Sequence, residues 1–523
     1  MKKGMIMVPF AALTLCAGTA NAAGNYEPTL ESIRQHEVPE WLQDAKFGIY
    51  VHWGPYSEIG TWEEIKEYPQ NGGTYLVGYS QFYKSKDNPF RLALEKRYGP
   101  VEEGHGYLDL CRNFKADKFD ASEWADLMQE AGAKYAGLCV VHHDGYLMWD
   151  SAYTDYCAGK LGPERDLVAE LLPEVEKRGM KSVATFHHSR TKKHWKRYVD
   201  GSRKRKENAD VMLQENRDKY FWMIGDDTFT QRRLDITLEF LDKYKPDSIW
   251  FDGSAQNETP YEIISHYYNM GIDEGKEVVV HNKFAQFGEY IGTYSYERGF
   301  QRPMFVDWPW NDDYPACTDR GWSWWHGIRY HTADHMIRRL CHAVANNGGL
   351  LLSLCPRPDG SFDPEQVAQL KGIGKWLRQN GEAIYGTRPW AKVQGEGHMS
   401  EEDNIILWDG PDTKRYLRIN ADLYDDSDIR FTTKGKSTLY AIQLKVPYYG
   451  RTRITSLRNE MQVGSENKIK SVELLGYGPV EYERGDDWLL IYHPVPLPND
   501  VALAFKIEVE GELERVLYPG VPE

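Results

Sequence analysis

The chain has 523 residues, a formal charge of −15 at pH 7 and 41% hydrophobic residues. This length suffices for one large α/β domain and a smaller second domain. The acidic balance argues against nucleic acid and anionic membrane surfaces as partners. The cysteines show no CxxC spacing, which excludes a disulfide scaffold; Cys139 and Cys355 lie in apolar runs and are expected to be buried thiols.

Residues 1–22 are expected to form a secretory signal peptide. Lys2 and Lys3 precede a short apolar run at 5–15, and Ala20-Asn21-Ala22 is a small-x-small cleavage motif. A lipoprotein signal would need a small residue before Cys16, where the chain has leucine. The apolar run is too short to span a bilayer, and no later run reaches about 18 apolar residues. These features predict an exported protein, periplasmic or secreted, without membrane insertion.

Between residues 23 and 388, strand-like and helix-like segments alternate. The apolar runs that predict buried strands lie at 47–52, 135–141, 182–186, 248–251, 277–281 and 349–354. Segments with helical spacing separate them, among them 229–244 and a helix that starts at Asp363-Pro364 and ends at Asn380-Gly381. This alternation favours a (β/α)8-like, TIM-type barrel over an open sheet. No glycine-rich phosphate loop supports a Rossmann fold.

From residue 389 to 523 the pattern changes. Short apolar runs are separated by Gly, Asp, Asn and Pro, at 405–408, 416–419, 437–444, 472–475, 488–492 and 501–509. Such a pattern is typical of a β-sandwich. The sequence therefore predicts a C-terminal β-sandwich after the barrel.

Polar residues follow the predicted strands at the end that carries the active site in barrels of this class. They are His52, His142-His143, His187-His188, Asp252 and His281-Asn282-Lys283. Each alone fits a structural histidine or an ordinary Asp-Gly turn, but together they predict one polar pocket.

Aromatic residues are dense in the loops that follow, at Trp149, Trp308, Trp310, Trp322, Trp324 and Trp325. Rings with polar groups around them suit sugars, although each tryptophan alone fits core packing equally well.

A metal site is the competing interpretation of the histidines. His331 and His335 have the spacing of a zinc pair, but the glutamate of HExxH is missing and the pair lies on an expected surface helix. We therefore predict no metal and no cofactor. A zinc hydrolase stays open as an alternative, which loss of activity on chelation would reveal.

Several ordered motifs resemble glycoside hydrolase family 29, the α-L-fucosidases, over roughly residues 40–390. They are Phe47-Gly48-Ile49 with His52-Trp53-Gly54, His142-His143-Asp144-Gly145-Tyr146, Arg165-Asp166-Leu167-Val168, Trp250-Phe251-Asp252-Gly253, Pro358-Asp359-Gly360, and the run from Gly374-Lys375-Trp376-Leu377 to Gly386-Thr387. The resemblance implies a barrel with a C-terminal β-sandwich and hydrolysis with retention through a covalent intermediate.

By this resemblance Asp252 is the nucleophile, and His52, Trp53, His142 and His143 hold the fucose hydroxyls. The predicted substrate-binding set also includes His188, Trp250 and Trp324. In retaining enzymes the two carboxyl groups stand about 5–5.5 Å apart, so the acid/base must reach across the same pocket.

The position of the acid/base varies in this family. Glu297, in Tyr296-Glu297-Arg298-Gly299, resembles the motif of one branch, but Tyr482-Glu483-Arg484-Gly485 repeats that tetrapeptide in the second domain. Its place at an expected sixth strand favours Glu297. Asp307, Asp312 and Asp313 in the tryptophan-rich loop are the rivals.

Two departures from the family pattern concern the substrate. Thr61-Trp62-Glu63-Glu64 replaces a usual Glu-Trp-Tyr, and His187-His188-Ser189 replaces Tyr-Tyr-Ser. The sequence thus predicts an exported, retaining exo-α-L-fucosidase that acts on a fucosylated glycan. The alternatives are an α-L-galactosidase or related algal-polysaccharide exo-glycosidase, and a carbohydrate-binding protein that has lost its acid/base. Linkage preference, oligomeric state, disulfide state and the role of the sandwich stay open.

Overall fold

The structure is a computed structural model, and it describes residues 25–66, 82–83, 85–196, 208–253, 260–298, 308–318, 321–398 and 421–513. The predicted signal peptide, the rival acid Asp307 and the strand-like runs at 405–408 and 416–419 lie outside the described residues. Among the described residues, no helix combines the length and the apolar character needed to cross a bilayer.

Eight parallel strands form a closed barrel, which confirms the predicted fold class. They follow one another in chain order, and β8 pairs with β1 from Phe47↔Leu350 to Val51↔Leu354. Their bounds are β1 Phe47–Val51, β2 Tyr135–Val141, β3 Lys181–Phe186, β4 Ser248–Phe251, β5 Val279–Lys283, β6 Thr293–Glu297, β7 Trp310–Pro315 and β8 Gly348–Leu354. Nearly every residue of these strands is buried, as expected for a parallel sheet covered by helices.

Helices cover the outside of the barrel or shape its loops. Their bounds are Leu30–Ile33, Glu40–Ala45, Pro89–Tyr98, Tyr107–Asn113, Ala121–Glu130, Leu167–Lys177, Gln214–Lys219, Asp226–Tyr244, Pro260–Glu274, Ala333–Ala345 and Pro364–Asn380. Asp120 caps its helix by accepting a hydrogen bond from the Glu123 amide at 2.9 Å. Asp363 precedes its helix as predicted but makes no side-chain cap, because its carboxylate accepts hydrogen bonds from Trp324, Tyr330 and Arg357.

The seventh strand corrects the sequence prediction, which placed residues 307–313 in a loop. Trp310–Pro315 contains no β-branched residue, yet it pairs with β6 on one side and with β8 on the other. Its side chains alternate, so that Asn311 and Asp313 face the barrel interior, while Asp312 forms a buried ion pair with Arg339. Closure of the barrel therefore outweighs weak local strand propensity.

The C-terminal region forms two antiparallel sheets around a core of their own, as predicted. One sheet has the order β10-β11-β12-β18-β14-β15 with β9 beside β11, and the other has the order β13-β17-β16. The strands are β9 Arg388–Pro389, β10 Gly395–Glu396, β11 Ile429–Lys434, β12 Thr438–Gln443, β13 Arg451–Ile454, β14 Lys468–Leu474, β15 Gly478–Pro479, β16 Tyr482–Arg484, β17 Leu489–Tyr492 and β18 Leu503–Glu510. Phe431 and Phe505 of the first sheet share this core with Leu489 of the second.

The two regions meet along two barrel helices. The Trp376 indole donates to the Ala502 carbonyl at 2.9 Å, and Arg338 donates to the Leu444 carbonyl at 2.8 Å. Ile442 and Ala504 of the sheet belong to the same buried cluster as the barrel core. The domain boundary between residues 388 and 389 stays a prediction.

Candidate active site

A cavity of about 520 Å³ opens at the carboxyl ends of the barrel strands. Seven of the eight strands, or the residues directly after them, contribute side chains to its wall. The lining residues are Tyr50, His52, His142, His143, His187, Arg190, Trp250, Asp252, Gly253, Lys283, Phe284, Gln286, Glu297, Asp313 and Trp322. A cavity of this size at this face of a barrel is the usual site for a small ligand.

Asp252 lies directly after β4 and forms the charged centre of the cavity. Its backbone amide donates to the Phe186 carbonyl at 2.8 Å, which continues the pairing of β4 with β3. Its carboxylate lies 2.6 Å from Lys283 Nζ and 3.3 Å from His143 Nε2. Burial raises the pKa of this carboxyl, but Lys283 and His143 outweigh burial and hold the pKa well below its ordinary value. Asp252 is therefore an ionised carboxylate at neutral pH.

Lys283 joins Asp252 to a second carboxylate, Glu297. Lys283 Nζ lies 2.7 Å from Glu297 Oε2, and opposite charges on both sides raise the pKa of the ammonium despite burial. The two contacts limit the separation of Asp252 Oδ1 and Glu297 Oε2 to about 5.3 Å at most. This upper limit is compatible with the roughly 5–5.5 Å of retaining glycosidases and excludes the roughly 6.5–9.5 Å of inverting ones.

Glu297 and its described rival Asp313 occupy different depths of the cavity. Glu297 ends β6, and its side chain is 30% exposed, whereas Asp313 on β7 is 1% exposed. The Tyr50 hydroxyl donates to Asp313 Oδ1 at 2.7 Å. Burial, with the nearby charge of Glu297, raises the pKa of Asp313 to about 8, so this carboxyl is protonated at neutral pH. The other rival, Asp312, points out of the barrel to Arg339.

Replacing Asp313 with asparagine should reduce the pH dependence of stability. With a folded-state pKa of about 8, Asp313 keeps a proton that the unfolded chain releases near pH 4. The free energy of unfolding of the wild type therefore falls as pH rises between about 4 and 8, by up to about 1.4 kcal/mol per pH unit from this group. We expect urea unfolding to show that the free energy of unfolding of the variant, relative to that of the wild type, rises from pH 5 to pH 8. Equal differences at both pH values would contradict this assignment, and Asp334→Asn, a 43% exposed carboxyl, serves as the control.

Three buried histidines form one wall of the cavity. His52 Nδ1 lies 2.7 Å from Ser353 Oγ, and His187 Nδ1 lies 3.1 Å from Cys139 Sγ. Burial lowers the pKa of His142 and His187, and lowers the pKa of His52 to about 3. These imidazoles are neutral, and each offers a ring nitrogen to a hydroxyl group or to a metal ion.

The structure places three of the predicted substrate-binding residues away from the cavity wall. The Trp53 indole donates to the Arg357 carbonyl at 3.0 Å and packs on Phe114 and Phe119. His188 Nε2 lies 3.1 Å from Thr237 Oγ1 behind β3, and the Trp324 indole donates to Asp363 at 2.7 Å. Hydrogen bonds within the fold engage the polar group of each of the three side chains, and none of them lines the cavity. Their part in substrate binding stays a prediction. His52, His142, His143 and Trp250 do line the cavity.

Four lining residues were not singled out in the sequence: Tyr50, Arg190, Phe284 and Gln286. Three others, His187, Lys283 and Trp322, were named for the predicted pocket or its aromatic loops but not in the substrate-binding set. The alternation of β1 signals Tyr50, since it lies two residues before His52 on the same face. Lys283 was expected after the strand, whereas β5 continues to Lys283 and places its side chain in the cavity wall. His281 lies deeper in the barrel, where its ring bonds to Asn311.

His331 and His335, the pair with zinc-like spacing, lie outside the cavity wall and contact other groups. The two rings stack at 4.2 Å, and His335 Nδ1 contacts Asp422 at 3.0 Å. The helix is not a free surface helix, because it packs against the C-terminal sheets. Within the described residues, only His52/His142/His187 and His398/Asp425/Asp428 bring three possible metal ligands together. The six described cysteines, including Cys139 and Cys355, are buried free thiols.

A family model described as Alpha-L-fucosidase matches residues 13–382. The chain belongs to the α-L-fucosidase family. This confirms the resemblance seen in the sequence motifs and makes the enzyme a glycoside hydrolase. The Homo sapiens tissue α-L-fucosidase is 30% identical over 386 residues, which cover 71% of this enzyme and 74% of the human protein.

Solved structures show the same fold. The Thermotoga maritima α-fucosidase has a TM-score of 0.68 and 23% identity, and the match covers 92% of this enzyme and 99% of that chain. A Bacteroides thetaiotaomicron α-L-fucosidase, solved as a trapped covalent intermediate, has a TM-score of 0.61 and 19% identity over 90% of this enzyme and 96% of that chain.

Proposed function

We propose that this enzyme is a retaining exo-α-L-fucosidase that releases terminal fucose from a glycan, with Asp252 as nucleophile and Glu297 as acid/base. The observation that carries the proposal is the separation of at most about 5.3 Å between the two carboxylates. An inverting enzyme needs roughly 6.5–9.5 Å to place a water molecule between sugar and base. The Bacteroides thetaiotaomicron relative, captured as a covalent intermediate, supports the same class of mechanism.

In the first step, Asp252 attacks the anomeric carbon while Glu297 donates a proton to the leaving oxygen. Asp252 is suited to attack because Lys283 and His143 keep it ionised and fix its orientation. Glu297 is suited to reach the leaving group because its side chain lies toward the open end of the cavity, whereas Asp313 is fully enclosed. In the second step, Glu297 takes a proton from water, which attacks the ester and releases fucose with retained configuration.

Lys283 imposes a condition on this mechanism. Its ammonium contacts both carboxylates, with Nζ next to Asp252 Oδ1 and to Glu297 Oε2. Glu297 has to take up a proton before the first step, so the Lys283–Glu297 contact must open when the sugar enters. Lys283 then stays with Asp252 and stabilises its negative charge.

The neutral Asp313 and the three buried histidines are suited to bind sugar hydroxyls, and Trp250 and Trp322 offer ring faces to the sugar. These polar groups also suit L-galactose, which has one hydroxyl more than fucose. An α-L-galactosidase is therefore the second candidate. A binding protein without catalysis is less favoured, because both carboxylates are present at reacting distance.

From the sequence, we extend the proposal to export after cleavage near residue 22.

Proton NMR of the first product tests the proposed function. We expect an aryl α-L-fucoside to give α-L-fucose first, with the β-anomer appearing later by mutarotation. The matched α-L-galactoside and β-L-fucoside are the comparison substrates. A β-anomer as first product would refute retention, and faster cleavage of the galactoside would favour the second candidate. Activity in the presence of a chelator separates both from a zinc hydrolase.

A further inference from the structure

We propose that His52, His142 and His187 form a binding site for a borderline divalent cation such as Zn²⁺, and that cation and sugar exclude each other. Each residue offers one ring nitrogen, and these nitrogens lie within 4.8 Å of one another. The three rings are at most 4% exposed, and all line the catalytic cavity. Imidazole nitrogen is a preferred ligand of zinc, and three histidines with one open position make a common zinc site.

The spacing of the rings fits one ion. Their centroids lie 5.7 Å apart for His52 and His142, 5.2 Å for His52 and His187, and 4.8 Å for His142 and His187. With Zn–N bonds of about 2.1 Å and tetrahedral angles, three imidazole centroids stand roughly 5 Å apart and their nitrogens about 3.4 Å apart. The observed centroid spacings are close to this value.

The groups behind the rings resemble the support that metal-binding histidines receive. Ser353 Oγ holds His52 Nδ1, and Cys139 Sγ holds His187 Nδ1, which leaves each Nε2 as the other possible ligand atom. His142 differs from both, because its buried Nδ1 has no hydrogen-bond partner among the described residues. A buried polar atom without a partner is costly, and a bound ion removes that cost.

The surrounding charges set the expected strength. Asp252 brings a negative charge to the same cavity, but Lys283 offsets it, and Arg190 adds a positive charge to the wall. We therefore expect micromolar affinity, weaker than that of structural zinc sites. The mutual exclusion of cation and sugar rests on the proposed function, in which these histidines bind sugar hydroxyls. The binding of the metal ion does not rest on that function.

Calorimetric titration of the metal-free full-length protein with ZnCl₂ at pH 7 tests the site. We expect one ion per chain and at least tenfold weaker binding in His187→Phe. His266→Gln is the matched control, because that ring is 37% exposed, pairs with Asp242 and does not line the cavity. Absence of binding by the wild type, or equal binding by His187→Phe and the wild type, would overturn the proposal.

Cobalt spectroscopy on the wild type keeps the test valid if His187→Phe does not fold. Co²⁺ bound by three imidazoles should give intense visible bands of a tetrahedral ion, which Zn²⁺ abolishes; six-coordinate spectra would overturn the site. Added L-fucose should weaken Zn²⁺ binding, and unchanged binding would overturn mutual exclusion. Histidine-dependent zinc binding in a protein that cleaves no fucoside would support the metal site and refute the proposed function.

Discussion

Replacing Asp252 with glycine is expected to lower kcat on an aryl α-L-fucoside by about 10⁴-fold or more, since no other described group occupies its position. Azide should restore turnover, because the small anion fits the space of the lost carboxylate. It attacks from the side of the nucleophile, so the product should be β-L-fucosyl azide. Steady-state kinetics and NMR of the product measure both effects.

The matched control for this variant is Asp242→Asn, because Asp242 is 61% exposed and pairs only with His266 among the described contacts. The control should keep wild-type kcat. If Asp252→Gly retained a tenth of the activity, or gave the α-azide, Asp252 would not be the nucleophile.

Replacing Glu297 with glutamine should slow hydrolysis by about 10²–10⁴-fold for substrates with poor leaving groups. A dinitrophenyl fucoside needs little protonation, so its first step should be affected far less. Azide should then attack the intermediate from the opposite face and yield α-L-fucosyl azide. Rates across a series of aryl fucosides measure the dependence on the leaving group.

Glu483→Gln is the matched control for Glu297→Gln. Glu483 lies in the same Tyr-Glu-Arg-Gly tetrapeptide, on β16, where it is exposed. It should behave as wild type. Asp313→Asn tests the rival assignment. Asp313 would be the acid/base if its variant depended on the leaving group and gave α-L-fucosyl azide while Glu297→Gln did neither.

Periodicity predicted most of the barrel because six of its strands carry apolar or β-branched runs. The residues of the site at strand ends, such as Asp252 and Glu297, followed from the same pattern, since the carboxyl ends of parallel strands meet at one face. The identical tetrapeptide around Glu483 shows that the motif alone lacks this information. Only the place of Glu297 at the end of β6 distinguishes the two glutamates.

What the sequence did not predict depends on side-chain direction. His187 and His188 are neighbours, and a shift of one residue at a strand end decides which of them enters the cavity. Trp53 and Trp324 carry indole N–H groups that bond inside the fold, and no sequence pattern separates such rings from rings that face a ligand. Strand β7 was missed because tertiary pairing holds a segment with little strand propensity of its own.

The buried cluster that joins the barrel to the C-terminal sheets couples the unfolding of one region to that of the other. Tyr440, Ile442 and Ala504 complete the packing of barrel helices, so cleavage near residue 388 would expose apolar surface on both fragments. We therefore expect the two regions to unfold as one cooperative unit, so that heating melts them in a single transition. The C-terminal sheets cover part of the barrel helices, and we expect their removal to destabilise the barrel.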